Sequence, residues 1–159
     1  MATKRQQARY ASKVGNALSA CQVVEEGLKL YLDLVFLRIQ KEVHGTIPFH
    51  FKGEDYRSAS MEKLLHVFRR LTDNRDLLER LESFKAERNY LAHRAVAEYF
   101  ERHEAEPKKH AAMMKRLQKL EDTGYGLWIE ISSELRRIRG EKEANQAPEP
   151  TPLTRHGSP

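Results

Sequence analysis

The stretch Arg88-Asn89-Tyr90-Leu91-Ala92-His93-Arg94 puts a guanidinium, a carboxamide, an imidazole and a second guanidinium within seven consecutive residues. An imidazole titrates near neutral pH and a guanidinium is a permanent cation, so these are side chains that move protons and hold negative charge. Their surroundings read as helix. Its apolar seam runs Leu81, Phe84, position 88, Leu91 and Ala95, alternating three and four apart. Arg88 therefore sits where a leucine is expected. A lone charge at such a place is costly, so it must be paired, or face a cavity or another chain. Glu25 is the charged member of the equivalent row on the first helix and is the candidate partner. Such a pair could fix helix register or orient a catalytic arginine.

His93 follows Arg88 by five residues, about 140° apart around a regular α-helix. Asn89 and His93, four apart, share a face. That face continues through Val96 and Phe100 as a second apolar stripe outside the core seam. A second stripe is the mark of a partner helix or a dimer interface. Asn89 and His93 are then expected to line a groove at that interface, with Arg88 reaching in from the side.

The stretch resembles the HEPN domain superfamily, whose motif is an Arg, commonly followed by a polar residue, then a His after four to six intervening positions. Arg88, Asn89 and His93 match it. The segments Leu77 to Phe84 and Val24 to Tyr31 also look like HEPN helices, and the resemblance covers roughly residues 10 to 138. It implies a homodimeric helical bundle and RNA cleavage that needs neither metal nor cofactor, by attack of the 2′-hydroxyl on the adjacent phosphate. The motif residues of two subunits would meet at the dimer interface. His93 would then serve as general base or acid, Arg88 would stabilise the phosphorane, and Asn89 would orient the phosphate or the histidine. The implied roles are a toxin, a host-defence factor or an RNA-processing factor.

Some HEPN toxins carry a Tyr two residues after the motif His, where a partner nucleotidyltransferase attaches nucleotides. That position is Ala95 here, and Tyr90 and Tyr99 lie off the pattern. Silencing by a nucleotidyltransferase therefore lacks its usual target residue; the partners the resemblance implies are RNA, a second copy of the chain, and a nucleotidyltransferase or other antitoxin. Other HEPN branches are catalytically silent, so the alternative is a non-catalytic dimerisation or binding module. An accessible His93 beside Arg88 in a basic groove marks the nuclease; both residues buried in ion pairs mark the module.

Basic residues gather at the N-terminus, where Lys4, Arg5, Arg9 and Lys13 face no acid in the sequence, and again at Lys108, Lys109, Lys115, Arg116 and Lys119. Beside the groove, Arg9, Lys13 and Arg94 would attract RNA phosphates, with the salt dependence of counterion release. Each group also reads as a solvated helix face. The other histidines show no metal-ligand spacing, so no metal site is expected. Tyr125 and Trp128 read as core packing of the last helix before they read as base-stacking rings. Cys21 reads as a small buried apolar residue, and as the only cysteine it excludes an intramolecular disulfide.

The elements that must position these residues are helical. Gly and Pro are few and clustered, and the long intervals between them are rich in Leu, Glu, Lys, Arg and Ala. The first helix is expected from about Thr3 to Val43, with a seam of Val14, Leu18, Cys21, Glu25, Leu28, Leu32, Val35 and Ile39 and with Gly15 or Gly27 as a bend. A loop follows from His44 to Ser60, pinned by Phe49, Phe51 and Tyr56. A short helix spans Met61 to Leu71 with Ser60 as N-cap, a long one runs from Arg75 to about His103, and a last one from Pro107 to about Arg139 is weakened midway by Gly124 and Gly126. The expected fold class is all-α, an up-down bundle of four to five helices over residues 1–140, HEPN-like. Residues 141–159, rich in Pro and polar residues, read as a disordered tail.

At 159 residues the chain has room for one core. A formal charge of +5 permits an anionic partner such as RNA without demanding one. The most apolar stretch, Val23 to Ile39, is interrupted by five charged residues, which excludes a membrane span, and no secretory leader is legible. The expected location is the cytoplasm.

Overall fold

The computed structural model describes residues 4–95, 97 and 107–140. Among them are four α-helices and no strand: α1 (Lys4–Val43), α2 (Met61–Phe68), α3 (Arg75–Tyr90) and α4 (Pro107–Arg139). The proposed tail, 141–159, lies outside the described residues.

Long apolar-striped helices bury their stripes against one another, and here α1 and α4 form the longest contact. They run parallel, since Lys13 meets Glu121, Gly27 meets Trp128 and Arg38 bonds the Ile138 carbonyl. Helix α3 runs back antiparallel to α4, with Asn74 on Glu134, Arg80 on Glu130 and Glu87 on Arg116. One core unites all four helices, with Leu28, Leu32, Phe68, Leu81, Leu127 and Ile131 all but fully buried.

The glycines expected to bend or split the long helices do neither: α1 is one helix through Gly15 and Gly27, and α4 through Gly124 and Gly126. Two of them mark close approach. A Cβ on Gly124 would stand 2.9 Å from the Ala20 Cβ, and one on Gly27 2.8 Å from the Trp128 ring. The expected α1 seam also shifts. Leu18 is 38% exposed, while Ala17 and Val24 are fully buried. A helix of 3.6 residues per turn drifts away from a strict seven-residue row, and the small faces of Ala17, Ala20 and Gly27 are what admit α4.

Ser60 caps α2, its hydroxyl accepting from the Lys63 N–H at 3.4 Å, and α2 ends at Phe68, three residues short of the expected Leu71. Asn74 caps α3 by accepting from the Leu77 N–H at 3.1 Å. The loop before α2 is held as its aromatics suggest, with Phe36 of α1 packed against Phe49, Phe51 and Tyr56.

Candidate functional site

Helix α3 does not continue to His103 as regular α-helix. It ends at Tyr90 and passes into a π-helical turn, Leu91–Ala95. Leu91 stays in the core at 1% exposure, while Ala92, His93 and Arg94 face solvent. A π turn closes between residues five apart. Such single-turn insertions are rare and frequent at functional sites. Val96, Tyr99 and Phe100, and with them most of the second apolar stripe, lie outside the described residues.

Arg88 is paired across the bundle. Its Nε donates to Glu25 Oε1 at 2.7 Å, and its Nη1 donates to Asn89 Oδ1 at 3.4 Å. The Arg88 side chain keeps 32% of its exposure and Glu25 17%, so the pair lies at the rim of the core with one side open. This resolves the charge at a seam position: the guanidinium is held by a carboxylate one helix away. Asn89 is exposed, as is His93. Close to the Arg88–Glu25 pair Cys21 is buried, and burial pushes its thiol up to about 11, with Arg88 lowering it and Glu25 raising it. That thiol is protonated and unreactive at neutral pH.

The basic groups divide. Arg9 and Arg94 are exposed. Lys13, expected to face no acid, is bonded to Glu121 at 2.8 Å, because α4 brings that carboxylate alongside α1. Arg116 is also engaged. It donates to both Glu87 oxygens, at 2.7 and 3.0 Å, and its guanidinium carbon lies 3.4 Å from the Tyr90 ring centre. Arg116 in turn holds the Glu87 carboxyl below the usual carboxylate range. This clamp fixes the last α-helical turn before the π segment, and sequence alone gave no sign of it. Glu87 and Tyr90 share a face three residues apart, but only the antiparallel packing of α3 on α4 brings Arg116 to them.

A groove of about 330 Å³ runs between α3 and α4 over Phe84 and Leu120. Its Arg80 is paired with Asp76 and Glu130 and its Arg116 with Glu87. Lys115 and Lys119 are exposed, whereas Lys108 and Lys109 are outside the residues whose side chains are described. Trp128 packs half-buried on Gly27 while Tyr125 is exposed. Comparison of the chain with protein-family models, with curated proteins and with solved structures finds no match.

Proposed function

We propose that this chain is a HEPN-type endoribonuclease acting as a homodimer in toxin, defence or RNA-processing chemistry. Its site is the Arg88–Asn89–His93 turn. In this reading His93 takes the proton from a ribose 2′-hydroxyl, whose oxygen attacks the adjacent phosphorus. The bond to the 5′-oxygen breaks, that oxygen is protonated, and the products are a 2′,3′-cyclic phosphate and a 5′-hydroxyl. Arg88 stabilises the charge that grows on the phosphoryl oxygens, and a second subunit brings the other His–Arg set to the same groove. The observation that carries the reading is an exposed imidazole on a π-helical turn, five residues after a guanidinium already fixed by Glu25.

The test is cleavage of a mixed RNA in excess EDTA by wild type, Arg88→Ala and His93→Ala. Wild type is expected to leave cyclic phosphate ends, and each variant to lose at least 100-fold, the lower end of the usual contribution of a general acid or base. Activity surviving in His93→Ala overturns the assignment.

The Glu25 pair favours a second reading, a non-catalytic helical binding module in which Arg88 only fixes helix register. A folded dimer that cleaves no RNA, and that melts earlier when Glu25 is changed to Gln, supports that reading instead.

A further inference from the structure

The face of the α1–α4 pair that points away from α3 is apolar and exposed. Gly27 against Trp128 and Ala20 against Gly124 define the line where the two helices touch. Turning from that line away from α3, α1 presents Leu30 and Leu37, 48% and 53% exposed, and α4 presents Tyr125 and Ile129, 43% and 63% exposed. Half-buried Val23, Leu34 and Trp128 fill the furrow between them. Because α1 and α4 are parallel, these side chains form one ridge spanning about 21 Å, from the level of Val23 to that of Leu37. Single exposed leucines are ordinary, but a contiguous apolar ridge marks an interaction surface.

We propose that this ridge binds a second copy of the chain, with the two α1 helices crossing antiparallel about a twofold axis between residues 33 and 34. The charges on α1 select that partner. In this register Leu30 lies against Leu37 of the other copy, and Glu26 lies against Lys41 of the other copy. Both pairs sum to the same residue number, as a twofold contact requires. Glu26 and Lys41 are exposed, and flank the leucines as charged e and g positions flank a coiled-coil seam; Glu26 Oε1 accepts from Lys29 Nζ at 2.7 Å, which leaves its second oxygen for Lys41 of the other copy. The chain's own tail is a poorer occupant, since residues 141–159 offer one large apolar side chain, Leu153.

This surface lies on the opposite side of α1 from Glu25 and Arg88, and does not rest on the ribonuclease reading. Together with pairing at the motif turn it would give each chain two self-binding faces and an assembly of at least four copies.

The experiment is the solution mass of wild type, Leu30→Glu, Glu26→Lys and the double variant Glu26→Lys/Lys41→Glu, each checked for native helix content. All the changed side chains are exposed, so folding is retained. Leu30→Glu is expected to halve the mass. Glu26→Lys should weaken association at least 10-fold, and the double variant should restore it. A fall from four copies to two supports both faces; a fall from two to one supports this face and overturns the composite site at the motif. A mass unchanged by Leu30→Glu, a monomeric wild type, or a double variant that fails to recover overturns the proposal.

Discussion

The α1–α4 seam and the motif turn of α3 are built on opposite principles. Along the seam, Ala17, Ala20, Gly27 and Gly124 remove side-chain volume so that two long parallel helices come close, and apolar burial supplies the stability. At the motif turn the chain breaks α-helical regularity, places Asn89, His93 and Arg94 in solvent, and keeps a guanidinium in a core row by pairing it. Apolar burial and exposed polar groups are thereby separated along the same bundle. The motif residues can be exposed and charged because other residues hold the fold.

The sharpest way to break that contrast lies in two glycines that stand two positions apart in unlike surroundings. Gly124→Ala should destabilise the protein by about 1–3 kcal/mol, the usual cost of overpacking, because its Cβ would meet the Ala20 Cβ and backbone carbonyl. Gly126→Ala meets nothing within 4 Å, and should stabilise by about 0.5–1 kcal/mol through helix propensity alone. Thermal unfolding of the two variants reads this directly, and equal signs would show that α1 and α4 do not approach as closely as described.

Asp33 gives a smaller effect with a defined pH sense. Its Oδ1 is buried without a hydrogen-bond partner beside Gly53, and burial raises its carboxyl above the ordinary 3.8, opposed by Arg57. The folded state then holds its proton more tightly than the unfolded state, so this group costs stability as pH rises from 3.8 through its folded value. Asp33→Asn should raise the melting temperature at pH 7 and lose that advantage on acidification. A pH-independent difference would place the effect in packing instead.

The smallest stability change is expected at the motif. His93→Ala should alter unfolding free energy by no more than about 0.5 kcal/mol, the usual range for an exposed position. A larger loss would mean that the imidazole is part of the scaffold, and the contrast between the buried seam and the exposed turn would fail.

The helical class, the four described helices and the Ser60 cap were legible in the sequence, because apolar spacing, punctuation and capping act locally. The pairing of Glu25 with Arg88 was legible for another reason: each is a charge in an otherwise apolar row, and burial makes such charges seek each other. The end of regular helix at Tyr90 was not, since Arg88 to His93 fits either an α or a π turn. Nor were the partners of Lys13 and Arg116, which depend on how far α4 slides along α1 and α3.

The division follows from the range of the forces. Periodicity, propensity and charge placed in an apolar row are properties of one helix, and a single chain read once determines them. The face of α1 left uncovered, the lysine that is neutralised and the sense in which glycines serve the fold are relations between helices. Packing geometry decides these: the drift of a 3.6-residue helix moved Leu18 out of the core, and the parallel approach of α4 set Gly27 and Gly124 at contact rather than at a bend.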